Sequence, residues 1–239
     1  VSAFHGEGPD GTNWTLGKLI KHIAKIDGIE RIRYLTSHPR DMIDEELFEA
    51  HATEQKLMPF LHVPIQSGSD RILKAMNRKH TRDDYLKMIE KFRSARPDMA
   101  FSSDFIVGFP GETDQDFKDT MDIVKEVGYS QCFSFNYSPR PGTPASVIED
   151  QVPEEVKNER LYLLQELIRE KQMEFNKSSI NKTMPVLFTA PGKFDGQAQG
   201  KSPYLQNVFV KGELSELYGK IVDVKITDAL QTSLGGELL

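Results

Sequence analysis

Apolar positions fall into two regimes along this chain. From Thr12 to about Phe175, short apolar runs alternate with stretches of helical spacing. The runs at 31–39, 58–67, 99–111 and 129–139 predict strands. Between them, Tyr85, Met88, Ile89 and Phe92 recur at i, i+3, i+4, i+7, and Phe117, Met121 and Val124 follow a similar rule, so both stretches predict helices. Thr81 and Thr113 suit N-caps and Gly128 a C-cap. Strand and helix alternating at this spacing predict right-handed crossovers and a parallel sheet. After Pro153 a long charged helix is expected, with Leu163, Leu164, Leu167 and Ile168 as its packing stripe.

Past Lys177–Thr183 the period changes. Short runs are cut by Gly and Pro, and Val222, Val224 and Ile226 alternate with Asp223, Lys225 and Thr227. Some sixty residues of this kind predict a small antiparallel β-barrel. The expected domains are 1–175 and 176–239.

Composition narrows the class. The chain has 239 residues, 38% hydrophobic and 28% charged, as in a globular protein. Its formal net charge of -6 leaves no global basic footprint, so any nucleic-acid contact must come from a local patch. A single cysteine, Cys132, excludes a disulfide framework and favours an intracellular setting. No apolar run approaches a membrane span, and the first residues do not read as a signal peptide. Val1-Ser2-Ala3-Phe4 reads as the tail of a strand, as though the chain begins inside an element.

The candidate chemistry lies on strand faces. Side chains alternate along a strand, so Ser102, Asp104 and Ile106 share one face against Phe105 and Val107. His62, Pro64 and Gln66 likewise oppose Leu61, Val63 and Ile65, and Cys132, Ser134, Asn136 and Ser138 oppose Phe133, Phe135 and Tyr137. A parallel sheet covered on both sides should read as continuous apolar runs. Burying an unpartnered hydroxyl or amide costs roughly 1–3 kcal/mol, and an ionised carboxylate more. Three polar faces therefore predict an open, curved sheet whose concave side holds a polar ligand, with the aromatic faces packed on helices. A solvated one-sided sheet is the simpler alternative.

The loops agree with a ligand site. Ligands of open α/β sheets sit at the carboxyl ends of strands. There the chain places His38-Pro39, the stretch from Gln66 to Asp70, Gly108-Phe109-Pro110-Gly111-Glu112, and Ser138-Pro139-Arg140-Pro141-Gly142. Gly108 and Gly111 permit tight turns, and Arg140 between two prolines suits a clamp for a carboxylate or phosphate.

The segments FLHVPIQSGSDRILKAMNRKHT, FSSDFIVGFPGETDQDF and YSPRPGTPA, in this order, resemble the radical S-adenosylmethionine methylthiotransferases, and with YLTSHPRDM the branch acting on N6-isopentenyladenosine beside the tRNA anticodon. The tail from Gly200 to Leu238 resembles the RNA-binding TRAM barrel. The resemblance implies a partial parallel β/α barrel, its first strands missing, followed by that barrel. It also implies an enzyme in which one 4Fe-4S cluster cleaves S-adenosylmethionine to a deoxyadenosyl radical. A second cluster supplies sulfur, and a second S-adenosylmethionine supplies the methyl group.

By the same likeness Gln66, Ser102, Asp104, Ile106, Gly108 and Tyr137 border S-adenosylmethionine, while His38, Arg140, Lys201 and Tyr204 contact the substrate, an anticodon stem-loop. The family's clusters need six cysteines, and this chain has one. The resemblance therefore implies that their ligands belong to an N-terminal portion of the same enzyme, and that this chain alone assembles neither cluster. No residue here is assigned as catalytic or as a metal ligand. The six histidines show no zinc-type spacing.

Three other readings stand beside this one. A sister branch that modifies threonylcarbamoyl-adenosine shares QSGSD. A non-catalytic RNA-binding protein would use the lysines and aromatics of the tail, Lys193, Lys201, Lys211, Lys220 and Lys225 with Phe194, Tyr204 and Phe209. A barrel lyase with Asp104 as base lacks the lysine or metal set it would need.

Overall fold

A computed structural model describes residues 4–35 and 38–239, with the side chains of Arg40 and Asp41 outside the description. Its contacts divide the chain into two units, Val1–Ile168 and Arg169–Leu239. Among the described residues no helix is long and apolar enough to cross a membrane.

The first unit opens with a two-stranded ribbon, β1 (Gly6–Glu7) and β2 (Asn13–Trp14), then α1 (Leu16–Ala24) and α2 (Glu45–Thr53). A three-stranded parallel sheet follows in the order β3 (Phe60–His62), β4 (Ala100–Val107), β5 (Gln131–Asn136). Between its strands run α3 (Asp70–Ala75), α4 (Arg82–Ala95) and α5 (Asp114–Val127). The run at 31–39 yields only a parallel bridge from Ile32 to Leu57, and Thr36-Ser37 of the TSHP stretch lies outside the described residues.

The helix boundaries follow local chemistry. Thr81 and Thr113 each close a capping box, with Asp84 and Asp116 at the third helical position. Gly128, at φ 61°, ends α5 in the left-handed conformation. Tyr85, Met88, Ile89 and Phe92 are all buried, as their spacing requires. They pack with Leu61, Phe101, Phe105 and Val107 into one apolar core. The Tyr85 hydroxyl, fully enclosed, donates to the Val63 carbonyl at 3.0 Å.

Helix α6 (Glu154–Lys177) places Leu164, Leu167 and Ile168 in the same core. Leu163, expected in that stripe, is instead 43% exposed. It lies one residue, or about 100° of helix turn, from Leu164, which carries it off the narrow contact face.

The second unit closes β6 (Thr183–Pro191), β7 (Gln197–Lys201), β8 (Asn207–Lys211), β9 (Ile221–Ala229) and β10 (Ser233–Leu238) into a barrel ordered β10-β8-β7-β6-β9. A one-turn helix, α7 (Leu214–Leu217), links β8 to β9. Four pairings are antiparallel; β8 with β10 is parallel and closes the ring. Met184, Val186, Phe188, Val208, Val210, Val224, Ile226 and Leu234 fill the interior. Closure removes the unpaired edges that so small a sheet would otherwise expose.

Candidate functional site

Register decides which side chains share a face. His62 pairs with Ser102, Asp104 with Phe133, and Ile106 with Phe135. Lateral partners in a parallel sheet point the same way, so these residues stand on one side. Phe101, Ser103, Phe105 and Val107 point the other way, into the core. Ser103 is the polar exception there, and its hydroxyl accepts the Ile65 N–H at 3.0 Å.

The expectation for β5 is thereby corrected. Cys132 and Ser134 register with Ser103 and Phe105 on the helix side, while Phe133 and Phe135 stand on the open side, 46% and 53% exposed. Alternation gave the two faces of the strand, but not which faced the helices. Cys132 packs against the core, and burial pushes its thiol well above the ordinary range.

On the open side His62 is oriented by its neighbours. Its Nδ1 lies 2.9 Å from Ser102 Oγ and its Nε2 3.6 Å from Asp104 Oδ1. At the carboxyl ends of the strands the surface deepens into a cavity of about 740 Å³. The sheet side supplies Gln66, Asp104, Ile106 and Phe135; the loops supply Phe109, Tyr137, Ser138 and Arg140; and the turn after α3 supplies Met76, Asn77 and Arg78. Two polar atoms of lining residues, Asn136 Oδ1 and the Tyr137 hydroxyl, are buried without a hydrogen-bond partner among the described residues. Such atoms suit a ligand with hydrogen-bonding groups.

The loops of the cavity are held from behind. Gln66 adopts φ 80°, uncommon for a residue with a side chain, and is fixed by Gln66 N–H to Asp104 O at 3.0 Å and Ile106 N–H to Gln66 O at 2.9 Å. Strain of this kind costs roughly 1–3 kcal/mol and collects at binding sites. Ser67, Gly68 and Ser69 are structural. Gly68 N–H donates to Thr120 Oγ1 at 3.0 Å, and Ser69 Oγ donates to Asp116 Oδ1 at 2.6 Å. Gly68 sits so close to the Asp119 carbonyl that no Cβ fits.

Glu112 holds the turn after β4. Its Oε1 accepts Gly108 N–H and Arg160 Nη1, each at 2.9 Å. Burial pushes the Glu112 carboxyl up, against the pull of the Gly108 N–H and the Arg160 guanidinium. A Cβ on Gly108 would collide with Lys157. Lys157 Nζ stands 5.9 Å from the Tyr137 ring centroid, and Tyr137 packs edge-on against Phe109 at 5.1 Å.

Of the ten expected site residues, Gln66, Asp104, Ile106, Tyr137 and Arg140 line this one cavity. Ser102 is buried beside it, its hydroxyl committed to His62. Gly108 shapes the loop without lining the cavity. His38 packs edge-on against His80 at 5.3 Å and is not among the lining residues. Lys201 and Tyr204 belong to the barrel; Lys201 Nζ donates to Asn207 Oδ1 at 2.5 Å, and Tyr204 packs against Phe175 at 5.7 Å. Sequence reasoning missed Met76, Asn77 and Arg78. Their signal was the asparagine directly after the helix end, which takes φ 57° and turns Arg78 toward the cavity.

Residues 4–124 match the Radical SAM superfamily model. The chain belongs to the radical SAM superfamily. Residues 177–239 match the TRAM domain. This radical SAM chain is 56% identical over 239 residues to a protein of Rickettsia felis named tRNA-2-methylthio-N(6)-dimethylallyladenosine synthase, covering all of this chain and 54% of that protein. Proteins of the same name are 55% identical in Rickettsia typhi, over 239 residues and 54% of that protein, and 56% identical in Rickettsia bellii, over 238 residues and 53%. The radical SAM chain thus spans about half the length of the curated relatives it matches. A solved cobalamin-dependent S-adenosylmethionine radical enzyme, OxsB, is 14% identical with a TM-score of 0.41 over 69% of this chain and 22% of its own, too slight a likeness to bear on the site.

The two cofactor types implied by a radical SAM protein fare differently. Iron–sulfur clusters are held by thiolates. The one cysteine here points into the core, and among the described residues no group of three His, Cys, Asp or Glu side chains converges. These residues do not fit a cluster. The cavity lining suits S-adenosylmethionine: Asp104 would meet its ammonium group or its ribose hydroxyls, the Tyr137 hydroxyl would donate or accept a hydrogen bond, and Ile106 and Phe109 would offer apolar surface for a purine.

Proposed function

We propose that this chain is the S-adenosylmethionine- and tRNA-binding part of a methylthiotransferase that modifies N6-dimethylallyladenosine next to the anticodon. The observation that carries the reading is the convergence of Gln66, Asp104, Ile106 and Tyr137 on one cavity at the carboxyl ends of the strands. The names of its relatives support the substrate.

In this reading Gln66 and Asp104 hold the ribose and methionine portion. Ile106 and the Phe109–Tyr137 pair cover the adenine and keep water from it. When bound, S-adenosylmethionine supplies the deoxyadenosyl and methyl groups of the chemistry. The chain's own residues orient it: Gln66 through its fixed backbone, and Asp104 from a strand whose other face is locked in the core.

The TRAM barrel would bind the RNA backbone and unpaired bases. Its residues 177–239 carry seven lysines against six carboxylate side chains, so attraction has to be local. The outer faces of β7 and β8 give such a patch. There Gln199 pairs with Phe209 and Gln197 with Lys211, and Lys201 adjoins Asn207. A half-buried ring among amides and ammonium groups suits base stacking beside a phosphate.

The test is binding of this chain to anticodon stem-loops that carry adenosine, N6-dimethylallyladenosine or threonylcarbamoyl-adenosine. Tighter, salt-dependent binding of the dimethylallyl form supports the reading. Preference for the threonylcarbamoyl form transfers the chain to the sister branch, and equal, sequence-blind binding leaves an RNA-binding module alone.

A further inference from the structure

Among the described residues, the charged lining of the cavity consists of two guanidinium groups, Arg78 and Arg140, and one carboxylate, Asp104. S-adenosylmethionine carries two positive groups, its sulfonium and its ammonium, against one carboxylate. Such a ligand uses Asp104 and at most one arginine, so the pair leaves a cation over.

Arg78 has no hydrogen bond or ion pair from its side chain among the described residues, although its segment is ordered by Arg78 N–H to Leu73 O at 2.9 Å. It is half-buried, and burial draws its guanidinium below the ordinary arginine range. A desolvated cation without an anion is costly, and that cost disappears when an oxyanion arrives. Arg140 is exposed on the other loop, its carbonyl accepting Thr143 N–H at 3.2 Å and Thr143 Oγ1 at 2.8 Å, which stiffens the turn that carries it. Guanidinium forks suit phosphate geometry.

We propose that Arg78 and Arg140 together grip a backbone phosphate flanking the target nucleotide, and so hold the base over the cavity. This rests on the RNA-substrate reading above and adds to it the residues that position the nucleotide. An enzyme that works on a base inside an RNA loop has to hold the unstacked nucleotide by its backbone.

The experiment measures the affinity of the full 239-residue chain for the dimethylallyl-modified stem-loop across a salt series, with S-adenosylmethionine binding followed in parallel by calorimetry. Arg78→Gln and Arg140→Gln should each lower the slope of log affinity against log salt by about 0.7, the increment for one phosphate contact in a single strand. Arg78→Lys should restore the slope, a rescue that a purely structural role would not give. S-adenosylmethionine affinity should change less than twofold in Arg78→Gln. Unchanged slopes with wild-type RNA binding intact overturn the clamp alone. Loss of S-adenosylmethionine binding in Arg78→Gln, with the RNA slope kept, reassigns Arg78 to the methionine carboxylate and overturns the phosphate assignment. Absence of RNA binding by the wild-type chain defeats the RNA-substrate reading and the clamp with it.

Discussion

Arg160 on α6 donates from Nη1 to Glu112 Oε1 at 2.9 Å and to the Glu112 carbonyl at 3.1 Å, with both residues only 6% exposed. The same carboxylate oxygen accepts Gly108 N–H. One buried ion pair thus ties the helix to the turn that ends β4, and so to the backbone beside Ile106 and Phe109. Removing one partner of a buried pair strands the other charge, at about 3–5 kcal/mol. Arg160→Ala should therefore lower the unfolding free energy by an amount in that range. A loss below about 1 kcal/mol in chemical denaturation would show that the pair is solvated and does not hold the turn.

Acid sensitivity should begin near neutral pH. Burial, then the neighbouring His38 and Arg78 cations, push His80 down to about 4; burial, then Arg96, push His51 down to about 3. The unfolded chain protonates both near 6.5. Their contribution is complete above that value and is lost as pH falls toward 4 and 3, at about 1.4 kcal/mol per pH unit for each. Burial raises the Asp116 carboxyl, but hydrogen bonds from Arg71, Ser69 and Thr113 outweigh it and hold the group well below the ordinary range. Its contribution is present above the usual 3.8 and is lost below it. Unfolding free energy measured from pH 7.5 to 4.5 should fall continuously below 6.5, and His51→Gln should halve the slope near pH 5.5. A flat profile between pH 6.5 and 5 contradicts the buried, neutral histidines.

Strand β5 offers a sharp test of facing. Phe135→Ser should change stability by no more than about 0.5 kcal/mol, because the ring stands half in solvent. Cys132, the only thiol, should react with a water-soluble disulfide reagent at pH 8 only after the chain is unfolded. Rapid labelling of the native chain, with strong destabilisation by Phe135→Ser, would mean that the strand is turned the other way.

On α6, Leu164→Ala should cost about 2–5 kcal/mol, the range for a large core deletion, and Leu163→Ala less than about 0.5 kcal/mol. Leu164 is fully enclosed while Leu163 is 43% exposed. Equal losses at the two positions would place the contact stripe between them.

What was legible in the sequence follows from how local each signal is. The caps at Thr81, Thr113 and Gly128 depend on a few neighbouring atoms and were read correctly. The barrel strands alternate over five to nine residues, long enough for the period to show. The facing of β5 was not legible, because Phe133 and Phe135 against Cys132 and Ser134 look the same from either side until register with β4 is known. The run at 58–67 predicts one continuous strand, whereas the ladder runs through Phe60–His62 and resumes only as a bridge from Gln66 to Phe105, because Pro64 between them cannot donate to it. In the site, Gln66, Asp104 and Ile106 followed from alternation and family motifs. Arg78 did not, since only its burial and its place on the cavity distinguish it from an ordinary surface arginine.

The most direct measurement is a titration of the isotope-labelled chain with S-adenosylmethionine, followed by amide chemical shifts in wild type and in Asp104→Asn. Saturable shifts confined to the neighbourhoods of Gln66, Asp104–Ile106 and Tyr137, weakened at least tenfold in Asp104→Asn, are expected. Saturable shifts elsewhere on the chain, or binding indifferent to Asp104, would contradict a nucleoside site on the open side of this sheet.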